Sequence, residues 1–184
     1  MTWVVLPDSG PLGKLIHPNP DLHQPASEFY HFLKEKGFLF LVPETVHDET
    51  QRKIEKSNFT YSDRQLRKFI KRKQFLELLP EDADLARLME EKLKNIGEPI
   101  TDPSRIPSPD GRLMGQAINL LKNSNHEKVI ILTENYKDFI RLLKVCENQQ
   151  KIDIWDYKDA LTDLGNFKEQ GWLKISLSSE TVLC

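Results

Sequence analysis

The chain has 184 residues, of which 39% are hydrophobic, and its 26 Lys and Arg against 28 Asp and Glu give a formal net charge of −2 at pH 7. This composition predicts one folded domain over residues 1–184 and excludes dominant disorder. The charge excludes a global cationic field for nucleic acid, so any phosphate contact must be local. No apolar stretch approaches the ~20 residues that span a membrane, and no signal-peptide pattern follows Met1, which predicts a cytoplasmic protein without a membrane partner.

The first sixty residues alternate between strand and helix signals. An apolar run over residues 3–7 predicts a buried strand that stops at a turn beginning with Asp8. Residues 17–21 contain two prolines and predict an exposed loop, after which Ser27 caps a helix that stops at Gly37. A second buried strand is predicted over residues 38–42, and Pro43 opens a helix to about Ile54. This alternation is typical of an α/β domain with a parallel sheet.

The middle of the chain departs from that alternation. Apolar residues at helical intervals over 63–79 predict an amphipathic helix, and a second helix is predicted over 82–94. Together they predict a helical hairpin inserted on the α/β core at about residues 62–96. The first helix carries a basic stripe, which is either a solvated face or a local phosphate-binding surface, at Arg64, Arg67, Lys68, Lys71 and Arg72. Tyr61, Phe69 and Phe75 are candidates for base stacking.

The last third of the chain returns to alternating elements. Ser108 and Pro109 have the residue types of an N-cap and a first helical position, and they open a strongly apolar helix. A continuous apolar run over residues 129–132 predicts a strand covered on both faces, followed by a short helix containing Phe139. A further strand over 152–155 begins a C-terminal extension at about 151–184, in which residues 172–177 are predicted as an edge strand or hairpin.

Acidic and polar residues follow the predicted strands at several places. Asp8 follows the first strand, Glu49 lies on the helix after the second, and Asp110 lies in the first turn of the apolar helix, while Thr133, Glu134 and Asn135 follow the strand over 129–132. The carboxyl ends of parallel strands meet at one edge of a sheet, where ligands bind. Gathered carboxylates repel one another unless a cation neutralises them, and oxygen ligands favour Mg²⁺ or Mn²⁺.

The order and spacing of these motifs resemble a known family. They are the run WVVLPDSG, Pro43 with Glu49 six positions later, Asp110 opening a helix rich in apolar and small residues, and the run ILTENYKDF over residues 131–139. This spacing resembles the PIN domain, a family of metal-dependent ribonucleases that includes toxins of bacterial toxin–antitoxin pairs. The motifs cover about residues 3–139. The resemblance implies a PIN-like, three-layer α/β/α fold around a central, mostly parallel sheet.

The sequence departs from the family pattern at one position of the site. Asn135 stands where the family has an aspartate, which keeps an oxygen ligand but removes a negative charge. Register ranks Asn135 first as the fourth ligand, and charge ranks Asp138 second, with Glu134 as another source of compensation. Activity with one tightly bound ion, or none, therefore stays open.

The resemblance implies an endoribonuclease that hydrolyses RNA phosphodiester bonds with Mg²⁺ or Mn²⁺, leaving 5′-phosphate and 3′-hydroxyl ends. It assigns catalysis to Asp8, Glu49, Asp110 and Asn135, metal binding to these four and Asp138, and supporting roles to Thr133 and Glu134. Implied partners are an RNA substrate, an antitoxin and a second copy in a homodimer. The alternative is a catalytically impaired RNA-binding or scaffold module. A nucleotide-binding protein is disfavoured because neither GxGxxG nor GxxxxGK[ST] occurs.

Overall fold

The computed structural model describes residues 2–100, 106–146 and 149–170. In chain order its elements are β1 (Trp3–Pro7), α1 (Ser9–Leu15), α2 (Pro20–Glu35), β2 (Leu39–Phe40), β3 (Val42–Pro43), α3 (Glu44–Ser57), α4 (Thr60–Lys71), β4 (Phe75–Leu76), α5 (Pro80–Asn95), α6 (Pro109–Asn123), β5 (Lys128–Thr133), α7 (Tyr136–Lys144), a short 3₁₀ turn (Gln149–Lys151), β6 (Ile152–Asp156) and α8 (Tyr157–Gln170).

A central sheet of four parallel strands in the order β2-β1-β5-β6 is flanked by helices, which confirms the predicted α/β class. β1 lies between β2 and β5 and is fully paired with β5, from Trp3 opposite Lys128 to Pro7 opposite Leu132. Its interior residues Val4, Val5 and Leu6 have no exposed surface, as a strand covered on both faces requires. The carboxyl ends of β1 and β5 therefore lie side by side, where the chain order across the sheet changes direction.

The helix predicted to begin after Ser27 begins earlier. α2 starts at Pro20, with Asn19 as its N-cap accepting a hydrogen bond from the Asp21 amide at 3.0 Å. Pro20 suits the first helical position because the missing amide hydrogen would have no partner there, and Pro25 is carried inside the helix. The exposed loop thus shrinks to residues 17–19.

The region predicted as a helical hairpin is organised differently. α4 ends at Lys71, and Lys73 adopts a left-handed conformation with φ of 55° before residues 75 and 76 form β4. β4 pairs with β3 in a second, two-stranded parallel sheet, so the helix predicted over 63–79 is wrong beyond residue 71. The two helices are separated by this strand; α4 packs beside α3, and α5 packs mainly against α6.

Two glycines of α6 allow α5 to approach closely. A Cβ at Gly115 would overlap the backbone carbonyl of Asp82, and one at Gly111 would lie 2.6 Å from Oε1 of Glu90. Asp82 and Glu90 are each only 2% exposed, so this contact buries two carboxylates of α5 against α6. Helix pairs that touch through glycine gain close packing, but they tolerate no added side chain at the contact.

The C-terminal part adds a strand to the central sheet. β6 pairs with β5 from Ile152 opposite Val129 to Asp156 opposite Thr133, and α8, which sequence reasoning did not predict, follows directly. The edge strand or hairpin predicted at 172–177 lies outside the described residues. Cys146 is buried in the hydrophobic core. Among the residues described, no helix is long and apolar enough to cross a membrane.

Candidate functional site

Asp8 lies at the carboxyl edge of the sheet and is fixed there by both of its oxygens. It caps α1, with Oδ1 accepting a hydrogen bond from the Ser9 amide at 2.6 Å, while Oδ2 accepts one from Oγ1 of Thr133 at 2.8 Å. Its own amide donates to the carbonyl of Leu132 at 2.8 Å, which locks the two strand ends together. Burial raises the pKa of Asp8, and the hydrogen bonds from Thr133 and Ser9 oppose that rise.

Glu49 reaches the same place from α3 and is connected to Asp8 through Ser9. The Ser9 hydroxyl donates to Oε1 of Glu49 at 2.9 Å, and the ammonium of Lys53, one turn along α3, lies 2.7 Å from the same oxygen. Lys53 also donates to the Ser9 hydroxyl at 3.0 Å. The Glu49 side chain is 30% exposed, so it lies at the mouth of the site and not beneath it.

Asp110 is a buried acid whose pKa is strongly raised. It lies in the first turn of α6, whose N-cap Ser108 accepts a hydrogen bond from the Gly111 amide at 3.0 Å. Within the described chain, its Oδ2 is buried and has no hydrogen-bond partner. Burial, followed by the negative charges of Asp8, Asp138, Glu49 and Glu90, raises the pKa of Asp110 to about 7. The negative charges of Asp8, which caps α1, and of acids on α3, α5 and α7 therefore all act on Asp110.

Of the polar residues that follow β5, one interacts with the cluster of acids around Asp110 and the others interact with neighbouring groups. Asp138 is largely buried, accepts from Arg141 at 3.0 Å, and its charge acts on Asp110. Asn135 is exposed, and it is the backbone amide of this residue that donates to Oγ1 of Thr133 at 2.8 Å. Glu134 forms an ion pair with Lys14 of α1. The charge of Asp138 thus acts on the cluster, while Asn135 is neutral and exposed, and its role as a ligand stays a prediction.

The chemistry of this donor set fits a hard divalent cation, although the side chains are not gathered as ligands. Over residues 2–100, 106–146 and 149–170, no three Asp, Glu, His or Cys side chains come together closely enough to hold a metal. Glu49 is instead held by Lys53, and Asp138 by Arg141. Oδ2 of Asp110 is buried and has no hydrogen-bond partner in the part of the chain that the structure describes. A cation would satisfy this oxygen and relieve the mutual repulsion of the acids.

The five predicted nucleic-acid residues lie on the exposed surface of α4, beside the helix that carries Glu49. Gln51 of α3 donates to Asp63 of α4 at 3.2 Å, which connects the two helices. Arg67 pairs with Asp63 within α4 at 2.8 Å. Of the aromatic candidates, Phe69 is buried and Phe75 packs its ring against His47, whereas Tyr61 is 42% exposed. All five cations are exposed: Arg64, Arg67, Lys68, Lys71 and Arg72.

Four residues that contact the site were not assigned a role by sequence reasoning. Ser9 connects Asp8 to Glu49, Lys53 pairs with Glu49, Arg141 pairs with Asp138, and the charge of Glu90 acts on Asp110. Lys53 and Arg141 had a detectable signal, since each follows its acid at helical spacing. Glu90 had none, because it is followed by Glu91 in a charged helix and only packing distinguishes the two.

Comparison of the fold with solved structures identifies its type. VapBC2 from Rickettsia felis, bound to a DNA fragment from its promoter, matches with a TM-score of 0.59 and 17% identity, over 83% of this chain and 99% of that one. VapBC-1 from nontypeable Haemophilus influenzae matches with a TM-score of 0.54 and 15% identity, over 86% and 99%. The chain has a PIN-like fold. No family model and no curated protein sequence matches it, so the likeness is one of fold.

In this PIN-like fold, stability should fall as pH rises through the range in which Asp110 ionises. Its folded pKa of about 7 exceeds the ordinary 3.8, so between these values the native state binds more protons than the unfolded state. The raised pKa of Asp110 therefore lowers the free energy of unfolding by up to about 4 kcal/mol above pH 7 and leaves it unchanged below pH 4. Urea unfolding of the metal-free protein should give a lower free energy at pH 8 than at pH 5. A wild-type protein at least as stable at pH 8 would contradict this.

Thr133 should be needed for both stability and activity of the site. Its side chain is fully buried, and its hydroxyl donates to Asp8 and accepts from the Asn135 amide. Thr133→Val keeps the shape and removes both bonds, so we expect a loss of about 1–3 kcal/mol in unfolding free energy and about 10–100-fold in metal-dependent activity. Thr133→Ser is the matched control, because it keeps the hydroxyl. Equal behaviour of the two variants would contradict the assigned role.

Proposed function

We propose that this protein is a metal-dependent endoribonuclease. The observation that carries the proposal is the convergence of Asp8, Glu49, Asp110 and Asp138 on one edge of the parallel sheet, where their charges and burial raise the pKa of Asp110 to about 7. Such an arrangement is unfavourable for stability alone, and perturbed carboxylates at a strand edge are typical of functional sites. The PIN-like fold supports the same conclusion.

Mg²⁺ or Mn²⁺ would be held by Asp8, Glu49 and Asp110, with Asp138 supplying the charge that Asn135 lacks. A bound ion of this kind supplies an activated water and neutralises the oxygen that leaves the phosphodiester. The chain's own residues prepare the site: Thr133 and Ser9 fix the orientation of Asp8, and Lys53 holds Glu49 until a ligand competes for it.

The substrate proposed is RNA, held through its phosphates by the basic surface of α4. This helix supplies locally the positive charge that the chain as a whole lacks, next to an acidic site that would otherwise repel phosphate. Exposed Tyr61 on the same helix is the aromatic side chain best placed to stack on a base.

We further propose that the protein is the toxin of a toxin–antitoxin pair. The two matching structures are VapBC complexes, which supports an antitoxin as the partner and leaves a homodimer as a second assembly to test. A partner that placed a cationic side chain among Asp8, Glu49 and Asp110 would displace the metal and suppress cleavage.

The deciding experiment is RNA cleavage by the purified protein in Mn²⁺, in EDTA, and by an Asp8→Asn variant in Mn²⁺. The proposal expects 5′-phosphate products only from the wild-type protein in Mn²⁺. RNA binding without metal-dependent cleavage by either protein would favour the alternative, an RNA-binding or scaffold module that keeps the fold and has lost the chemistry through Asn135.

Neutralising the outer surface of α4 should weaken RNA binding without altering the fold. The triple variant Lys68→Gln, Lys71→Gln and Arg72→Gln removes three exposed charges. The slope of log affinity against log salt concentration should therefore fall in magnitude by about one for each RNA phosphate that the variant no longer neutralises. Fluorescence anisotropy with a labelled single-stranded RNA across a salt series measures this. Arg87→Gln on α5 is the control, because it removes an exposed cation elsewhere. An unchanged slope in the triple variant would exclude α4 as the binding surface.

A further inference from the structure

α5 presents a buried carboxylate to the start of α6. Glu90 is 2% exposed, and its Oε1 accepts a hydrogen bond from the backbone amide of Ser108 at 2.7 Å. Its Oε2 is buried and has no hydrogen-bond partner among the described residues. A buried carboxylate without a full set of partners is costly, and the hydrogen bond from Ser108 and the position at the amino end of α6 offset part of that cost.

The first turn of α6 is built around this carboxylate. A side chain at Gly111 would lie 2.6 Å from Oε1 of Glu90, so glycine is what allows the carboxylate to reach the helix. Ser108, held by Glu90 through its amide, in turn accepts from the Gly111 amide through its hydroxyl. Glu90, Ser108 and Gly111 are therefore connected by hydrogen bonds and close contact, and Ser108 and Gly111 lie on either side of Asp110 in the sequence.

We propose that Glu90 is a positioning residue that fixes the first turn of α6 so that Asp110 is held ready for a divalent cation. This inference rests on the proposed function, because Asp110 matters to a cation only if the site binds one. Glu90 acts through Ser108 and Gly111, and it is assigned no contact with metal or RNA. Its acceptor oxygen does the positioning, so an amide in its place should suffice.

A second buried acid on the same helix provides a matched control. Asp82 is also 2% exposed and faces α6 at Gly115, but it accepts from the Leu79 amide at 2.7 Å and so caps α5 itself. A variant at Asp82 therefore loses a buried carboxylate and a cap without touching the turn that carries Asp110. Comparing the two acids separates positioning of Asp110 from general support of the α5–α6 contact.

The test compares Glu90→Gln, Glu90→Ala and Asp82→Ala by thermal unfolding, by calorimetric titration with Mn²⁺ and by hydrogen exchange of the Ser108 amide in the metal-free protein. We expect Glu90→Ala to weaken Mn²⁺ binding by about 10–100-fold and to accelerate Ser108 exchange. Glu90→Gln should stay close to wild type in both. Asp82→Ala should lower the unfolding temperature while keeping wild-type Mn²⁺ affinity and Ser108 exchange.

Each remaining outcome is decisive. If Glu90→Ala does not fold, Gly111→Ala replaces it, since the added methyl group displaces the carboxylate and should weaken Mn²⁺ binding in the same way. Unchanged Mn²⁺ affinity in that variant or in Glu90→Ala, or an equal loss in Asp82→Ala, would overturn the positioning role alone. A wild-type protein that binds no Mn²⁺ would overturn the proposed function and this inference with it.

Discussion

Asp110→Asn should abolish metal-dependent RNA cleavage and, at the same time, make the metal-free protein more stable at pH 8. The loss should exceed about 100-fold, because the substitution removes a proposed metal ligand and not merely a residue that supports one. The gain arises because burial and the charges of Asp8, Asp138, Glu49 and Glu90 raise the native pKa of Asp110 to about 7, above the ordinary 3.8, whereas the neutral asparagine amide carries no such cost. Cleavage assays in Mn²⁺ and urea unfolding at pH 5 and pH 8 measure the two effects.

A general disruption of the fold would lower both activity and stability, so a loss of activity together with a gain in stability would point to Asp110 itself. At pH 5 the native carboxyl is protonated but the unfolded one is mostly ionised, so the stability difference between variant and wild type should shrink from about 4 kcal/mol at pH 8 to about 2 kcal/mol at pH 5. Asp48→Asn is the control: it neutralises a carboxylate of α3 that is 54% exposed and paired with His47, and it should change neither cleavage nor stability appreciably. A variant that loses activity and stability together would indicate that Asp110 serves the fold and not a cation.

Gly115→Ala should lower the unfolding free energy by about 3 kcal/mol. In an exposed helix interior the same substitution would stabilise by about 1 kcal/mol, since alanine has the higher helix propensity. Here the added methyl group overlaps the carbonyl of Asp82, which is backbone, so α5 must move as a unit away from α6. Urea unfolding monitored by circular dichroism measures the change.

Gly13→Ala is the matched control for that substitution. Gly13 lies inside α1, and apart from its chain neighbours and the backbone of its own helix, no heavy atom of the described residues lies within 4 Å of the position that its added methyl group would take. It should therefore show the stabilisation that helix propensity predicts, up to about 1 kcal/mol. If both variants gained stability, the close contact between α5 and α6 at Gly115 would be wrong.

Elements with a strong local signal were predictable from sequence. The apolar runs of β1 and β5 and the cap of α6 at Ser108 occur where local chemistry requires them. The prediction of a helix over 63–79 is wrong after residue 71, because Leu76 happens to continue the helical spacing of apolar residues although it lies in a strand. What determines β4 is its pairing with β3, a contact with residues more than thirty positions earlier that no local pattern contains.

The site divides in a similar way. The acids could be predicted because their order along the chain follows the strand ends, and the structure brings Asp8, Glu49, Asp110 and Asp138 within reach of one another's charge. Their metal-binding and catalytic roles stay predictions. The contacts that tune them were not predictable, because Ser9 and Glu90 acquire their roles from partners on other elements. Sequence register alone ranks Asn135 first as the fourth ligand. In the structure this residue is exposed, and its role as a ligand stays a prediction.

The position of β1 between β2 and β5 has a consequence for synthesis on the ribosome. β1 is an interior strand of the sheet, yet its neighbour β5 is translated more than a hundred residues later. Asp8 and Thr133 can meet only once most of the chain has emerged, so an incomplete nascent chain has no assembled acidic cluster. The topology thus delays assembly of the acidic cluster until β5 has been translated.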